Sequence, residues 1–372
     1  MSVSVDFCGR FVNRPYGIDF AVTGGIIITE IFFKDTAMNK ILLILTGGTI
    51  CSYENFDGKR TTDAESAKYK IISEFRKSGS VFGDVEFDTV MPIDTLSENM
   101  TSQKWNILLD ELRKVESDKY NGIIILHGTD TLAYTASLLS LVMSEKHLPV
   151  CLISSHSPVD CEGTNANVNF RTAVELIMNG LKPNVYAVYE NSDGKTWLHY
   201  GSHLLQCGNY SNDFYSKDMI TVDDTQAVCA ESQAFETDRN LLRRIKKLNS
   251  KVLLVNPYVG LDYNSINLDG LSAVVHTTYH SQTVCVDGDN SSFAEFAKKC
   301  KKEGVSLILT PCDEKSYSYV STASALENGV IPVSGMTDET VYVKTVVGCS
   351  LRYNRNELAD FLNTDINLET VY

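Results

Sequence analysis

Three short segments gather side chains that could present a nucleophile at a sheet edge. Thr46-Gly47-Gly48-Thr49-Ile50 sets two hydroxyls around a Gly-Gly turn, and His127-Gly128-Thr129-Asp130-Thr131 places a hydroxyl beside a carboxylate. A third segment, residues 94–101, offers Ser97, Glu98 and Asn99, which are another hydroxyl, a carboxylate and an amide. A threonine hydroxyl attacks a carbonyl once a neighbour takes its proton. Glycines after a buried strand allow tight backbone geometry and close approach by a ligand. Each segment also has a plain structural reading: a tight turn at Gly47-Gly48, and helix N-caps at Asp130 and at Ser97 or Thr101. The first segment is neither a G-x-G-x-x-G nor a P-loop, because the further glycines and the lysine are missing, so phosphate cradling is weakly supported.

These segments matter because of what precedes and follows them. Residues 41–45, 122–126, 150–154 and 185–189 are β-branched or apolar runs bounded by turn residues, the pattern of buried strands. Residues 64–78, 103–115, 131–144 and 167–179 carry apolar positions at helical spacing. Alternation of this kind specifies a parallel sheet covered on both faces, which binds ligands at the carboxyl ends of its strands. After a polar stretch at 217–233, read as containing two short β-like pieces, and a charged one at 237–251, a second alternation begins. Its strands are expected at 252–255, 271–276, 305–310 and 330–334, and its helices at 291–303, 321–327 and 338–347. The fold class is therefore α/β, with two doubly wound domains, the larger N-terminal, each on a mainly parallel sheet. The divisions fall at 1–37 (an extension, loosely packed or spurious, with Met38 the functional start), 38–220, 221–250 (a linker) and 251–372.

At 372 residues the chain has room for two such domains. Its 33 Lys plus Arg against 47 Asp plus Glu leave a net charge of −14. That surface repels nucleic acid and anionic membranes, so neither is expected as a partner. No apolar run is long enough to span a bilayer. The ten cysteines form no C-x-x-C pair and no zinc-spaced cluster, which fits free thiols in a cytoplasmic protein and no metal site. His276 and His280 lie four apart, but on a strand end rather than a helix. The lysine-rich run at 294–303 reads as the solvated face of a helix.

Taken together, T-G-G-T-I at 46–50 and H-G-T-D-T at 127–131 resemble the two signature segments of the asparaginase/glutaminase family of amidohydrolases with a threonine nucleophile. The resemblance extends to Ser97-x-x-Met100-Thr101 with Trp105, to residues 163–169, to residues 256–260 and to residues 335–340, and so covers most of 39–350. It implies that Thr49 is the nucleophile and that Thr129 and Asp130 form the second catalytic set. Asp130 also meets the substrate's α-ammonium, Ser97 holds its α-carboxylate, and Glu98 lies beside the amino group. Gly48 and Gly128 line the substrate, and Tyr53, on the loop after the first motif, assists Thr49. The same loop carries Lys59 and Arg60, cations that suit a lid or simply solvent. The implied reaction releases ammonia from the side-chain amide of L-asparagine or L-glutamine, needs no cofactor, and takes place in homodimers or homotetramers.

One element of the family pattern is missing. A lysine is expected about nine residues before Phe214, to pair with Thr129 and Asp130. The window at 201–207 contains none, and Leu205 or Gln206 stands in its place. His203 is the nearest titratable group, a candidate base or a loop histidine with a local hydrogen bond. The missing lysine supports an alternative reading, a catalytically impaired amino-acid-binding or regulatory protein on the same fold. A third reading, an amidase subunit of an amidotransferase assembly, finds no support in the acidic charge.

Overall fold

A computed structural model of the protein describes residues 19–23, 26–30, 39–54, 60–235, 239–313, 317 and 319–371. Most of the extension at 1–37, and Lys59, lie outside the described residues. The chain divides into two compact units, Met1–Asn39 and Lys40–Tyr372. In the first, Asp19–Thr23 pairs antiparallel with Ile26–Glu30. The second carries everything that follows.

Its larger sheet has seven strands. Five are parallel, in the spatial order Val185–Glu190, Val150–Ile153, Gly122–Leu126, Lys40–Leu45, Glu86–Val90, and Thr196–Tyr200 and Ile220–Thr221 add on antiparallel beyond Val185–Glu190. The central strands are apolar throughout because both faces are buried. Leu42, Ile44, Ile123 and Ile125 face a core completed by the helices Ser102–Lys114 and Leu132–Val142. Ile41, Leu43, Leu45, Ile124 and Leu126 face the helices Ala64–Lys77 and Ala166–Met178. The smaller sheet is wholly parallel, in the order Val252–Val255, Ala273–Thr277, Ser306–Thr310, Ile331–Pro332. The helix Phe293–Lys302 covers one face, and Asp338–Ser350 with Arg355–Leu362 covers the other.

The expected strands and helices are present to within a few residues, and the α/β architecture with helices on both faces of two mainly parallel sheets is as anticipated. Two strands of the larger sheet carried no signal. Glu86–Val90 is an edge strand without a buried residue, and Thr196–Tyr200, paired with Ile220–Thr221, extends the sheet's other side. The stretch expected to hold two short β-like pieces holds one strand and the helix Thr225–Glu231, which Asp224 caps through the N–H groups of Gln226 and Ala227. Within 221–250, Val228 and Cys229 join one core of the larger sheet, and Leu241, Leu242, Ile245 and Leu248 join the other.

Two features of the winding position the site. Leaving Lys40–Leu45, the chain moves to Glu86–Val90 on one side; leaving Gly122–Leu126, it moves to Val150–Ile153 on the other. The carboxyl ends of these adjacent strands therefore form a topological switch point, where the outgoing loops part and leave a crevice. The chain then continues in the same direction to Val185–Glu190, yet the helix before Val150–Ile153 and the helix after it lie on opposite faces. The two crossovers thus have opposite hands, so one departs from the near-universal right-handed form.

Candidate active site

At the switch point the three motif loops meet through bare backbone. Gly47 and Gly48 have φ of 95° and 83°, left-handed values that favour glycine. Gly48 N–H donates to Thr95 O at 2.8 Å, and Thr95 N–H donates to Thr46 O at 3.1 Å, which stitches the first loop to the third. Thr46 is buried, and its hydroxyl donates to Leu126 O at 2.8 Å, so it is a structural member of the first motif. A Cβ placed on Gly48 would lie 2.3 Å from Gly128 Cα, and one on Gly128 would lie 2.4 Å from Ser97 Oγ. No side chain fits at either glycine. Thr49 and Thr129 each follow a member of this touching pair.

Thr49 begins a 3-10 turn, Thr49–Cys51, and is half-buried; its carbonyl accepts from Ser52 Oγ at 2.8 Å. Thr129 begins a second turn, Thr129–Thr131, which leads directly into the helix Leu132–Val142. Asp130 makes no cap bond there. Its carboxylate instead accepts from Ser97 Oγ at 3.0 Å, and its N–H donates to the same oxygen at 3.1 Å. Ser97 is buried, and its carbonyl accepts from Thr131 Oγ1 at 3.0 Å, which fixes the two loops in one geometry. Glu98 follows, exposed to solvent. Thr101, not Ser97, caps the helix Ser102–Lys114.

Thr129 and Asp130 open onto a cavity of about 400 Å³, shared with His156, Tyr189 and the loop from Gln206 to Asn212. Of the two residues standing where a lysine was expected, Leu205 points to solvent and Gln206 lines this cavity. Gln206 Nε2 donates to Asp130 O, and its backbone N–H donates to Glu339 Oε1 at 2.9 Å. Its Oε1 is buried with no hydrogen-bond partner. Burial raises the Glu339 carboxyl above the ordinary carboxylate value, and burial followed by the neighbouring Glu339 raises Asp338 to about 6.

His203 is not brought to this cavity. It is buried on a 3-10 turn, Gly201–His203, where Nε2 meets Leu368 O and Nδ1 lies 3.4 Å from Asp218. Burial lowers its pKa, opposed by the Leu368 carbonyl and by Asp218. Tyr53, largely exposed, lines a different cavity of about 530 Å³ with Cys51, Asp63 and Lys70. The thiol of Cys51 is buried and its pKa is pushed far up by desolvation. His127, at the strand end itself, is fully buried with Nδ1 2.8 Å from Gly128 O, and burial lowers its pKa to about 4. In the second sheet His276 is engaged by Tyr263 Oη at 2.9 Å and Thr277 O at 2.6 Å, while His280 is exposed. Among the described residues no group of three or more His, Cys, Asp or Glu is placed to hold a metal ion.

Sequence reasoning named Gln206 only as a substitute and did not find Glu339, His156 or Tyr189. Glu339 lies inside the 335–340 segment of the resemblance, but its contact spans 133 positions of sequence. No local pattern reports such a contact.

The family model described as "Asparaginase, N-terminal" matches residues 40–226. Among curated proteins, the chain is 23% identical over 355 residues to a subunit of glutamyl-tRNA(Gln) amidotransferase from Sulfolobus acidocaldarius, covering 91% of this chain and 77% of that one. It is 24% identical over 333 residues to the protein of the same name from Saccharolobus solfataricus, covering 83% and 71%. Among solved structures, the thermostable L-asparaginase from Thermococcus kodakarensis superposes with a TM-score of 0.68 at 20% identity, covering 89% of this chain and 99% of that one. L-asparaginase I from Vibrio cholerae superposes with 0.66 at 20% identity, covering 90% and 100%.

Proposed function

The chain belongs to the asparaginase family, and from that premise we propose that it is an amidohydrolase that releases ammonia from the side-chain amide of L-asparagine or L-glutamine. The observation that supports this reading is the close approach of Gly48 to Gly128 and of Gly128 to Ser97 at the switch point, which brings the loops of Thr49 and Thr129 together beside Asp130. Thr49 Oγ1 attacks the amide carbon, its proton passes to the departing nitrogen, and ammonia leaves an ester on Thr49. Water then cleaves the ester, with Thr129 and Asp130 as the second set. N–H groups beside Gly48 and Gly128 stabilise the oxyanion. A free amino acid is a zwitterion, so an anion must meet its ammonium and donors its carboxylate. Asp130 and Glu98 supply the first, and Ser97 contributes to the second. Tyr53 assists Thr49 from the adjoining loop. His203, expected as a candidate base, lies away from the Thr129–Asp130 cavity with its Nε2 committed to Leu368 O, so no proton-transfer role is assigned to it.

Ammonia release from L-asparagine, L-glutamine and a panel of side-chain amides tests this directly. Thr49→Ala and Thr129→Val should each abolish it, whereas His203→Ala, which removes a contact to the C-terminal segment, should leave it intact. Two other readings have specific support. The neutral amide of Gln206 in place of a lysine favours an amino-acid-binding protein impaired in hydrolysis. Calorimetric binding without turnover, together with activity gained in Gln206→Lys, would establish that reading. The names of the curated relatives favour an amidotransferase component that passes ammonia to a protein partner. Glutamine hydrolysis found only in a larger native assembly, and absent from the isolated chain, would establish that one. No helix among the described residues is long and apolar enough to cross a membrane. We place the protein in the cytoplasm as a homo-oligomer, a dimer or tetramer that sedimentation velocity would identify.

A further inference from the structure

A second cavity, of about 460 Å³, opens at the amino ends of the smaller sheet, where Ala273–Thr277 and Ser306–Thr310 begin. Its walls include Lys301, Arg355, Tyr353, Asn354, Ser272 and Ser306. No carboxylate is among the described residues that line it. In a chain of net charge −14 such a concentration of cations and hydroxyls is unexpected.

The guanidinium of Arg355 and the stem of Lys301, both exposed residues, flank Gly329 on the cavity wall. A Cβ placed on Gly329 would lie 3.6 Å from Arg355 Nη2 and 3.9 Å from Lys301 Cδ. Arg355 is held in place, with Nε and Nη2 donating to Gly329 O at 3.1 and 2.6 Å. A guanidinium fixed along one edge presents its remaining N–H groups as a preset fork. Arg244 Nη2 donates to Tyr353 Oη at 2.6 Å and brings a third cation to the rim. The nearest carboxylate of the adjoining helix start, Glu357, is occupied by the N–H of Asn354 at 2.8 Å in a capping box. The lysine run at 294–303 is a largely solvated face, with Lys298, Lys301 and Lys302 exposed. Lys298 pairs with Glu295 and Lys299 reaches Ile266 O, whereas Lys301 borders the cavity.

We propose that this cavity binds a small oxyanion carrying two or more negative charges, of the phosphate or diphosphate class. Two cations of unlike geometry, a point charge and a fork, suit such a group, and the cavity has the size of a small-molecule site. Its lining shares no residue with the cavity at Thr129 and Asp130, so the two are separate.

Isothermal titration calorimetry of the full chain, with inorganic phosphate, pyrophosphate and citrate at one ionic strength, tests the proposal. Pyrophosphate should bind saturably at one site per chain, more tightly than phosphate or citrate. Lys301→Gln should weaken it at least tenfold, and Arg355→Lys, which keeps the charge but removes the fork, should weaken it as well. Lys298→Gln should leave it unchanged. Circular dichroism melts of each variant separate loss of binding from loss of fold. An absence of saturable heat, an equal affinity in a folded Lys301→Gln protein, or tighter binding of citrate would each overturn the proposal. None of these readouts involves ammonia release, so the result is independent of the amidohydrolase reading.

Discussion

The carboxyl edges of the two sheets start from the same device and diverge. Both Gly122–Leu126 and the strand Ala273–Thr277 end near a buried histidine whose Nδ1 meets the carbonyl of the next residue, Gly128 in one case and Thr277 in the other. In the smaller sheet that next residue has a side chain. Thr277 Oγ1 donates to Asn256 Oδ1 at 3.0 Å, and Tyr263 closes over His276. In the larger sheet the next residue is glycine, and the space a side chain would take is occupied by Gly48 and Ser97. The winding differs in the same sense. The smaller sheet is laid down in one direction, strand after strand, while the larger one reverses between Lys40–Leu45 and Gly122–Leu126. A crevice needs both conditions: loops that part, and a backbone with nothing on it. The smaller sheet meets neither condition at its carboxyl edge.

The sharpest way to break this contrast is to give the first edge what the second has. In Gly128→Ala the new methyl would sit 2.4 Å from Ser97 Oγ and 3.0 Å from Gly48 Cα, and backbone cannot yield there cheaply. Misplacing a reacting group by about 1 Å costs about 10²-fold in rate. Overpacking adds about 1–3 kcal/mol of instability. Turnover should fall by about that factor or more while the chain still folds. The reciprocal change, Thr277→Gly, should lower stability by about 1 kcal/mol and leave turnover untouched. A Gly128→Ala protein with normal activity would mean that the glycine contact does not organise the site.

Acid should affect the two edges alike. His127 and His276 are both buried, and burial lowers each from the ordinary 6.5 to about 4. Between those values the unfolded chain binds a proton that the folded chain refuses, so stability rises with pH across the window and is lost as pH falls from 6.5 toward 4. Each ring should cost about 2 kcal/mol by about pH 5, since one pKa unit is worth about 1.4 kcal/mol. Urea midpoints at about pH 7 and about pH 5, compared between the unaltered chain and His276→Gln, isolate one ring's share. His276→Gln should reduce the slope by one proton without changing turnover at neutral pH. A slope that His276→Gln leaves unaltered would show that the second edge is not closed in the way described.

What could be read from the chain alone follows the same division. Central strands such as Gly122–Leu126 are legible because burial on both faces makes them uninterrupted apolar runs. The edge strand Glu86–Val90 is exposed or half-buried throughout, and its composition carries no strand signature. The motif threonines, Ser97 and Asp130 were legible because each sits within a few residues of a strand end. Glu339 and the contacts of Gln206 were not, because the hydrogen bond that joins them and the one from Gln206 to Asp130 cross 133 and 76 positions. The helix Thr225–Glu231 escaped because it is short, and its cap residue Asp224 is equally at home in a turn.

The smallest expected effect concerns how much of the first edge depends on its one unusual member. Gln206 Nε2 supports the carbonyl of Asp130, while its Oε1 remains without a partner at the cavity wall. A net hydrogen bond is worth about 0.5–1.5 kcal/mol. Gln206→Ala should therefore reduce turnover by about tenfold or less and shift stability by about 1 kcal/mol, far below the effect of Gly128→Ala. Gln206→Glu separates support from charge: it keeps the length but removes the donor and adds a negative group beside Asp130. If Gln206 acts only through the Asp130 carbonyl, the two variants should lose kcat alike, with KM for the amino acid unchanged in Gln206→Ala. If its oxygen meets the substrate's ammonium, Gln206→Glu should lower KM while Gln206→Ala raises it. An effect of Gln206→Ala exceeding about 10²-fold would instead place the organising contact at Gln206 rather than at the glycine pair, and the contrast between the two edges would have to be drawn there.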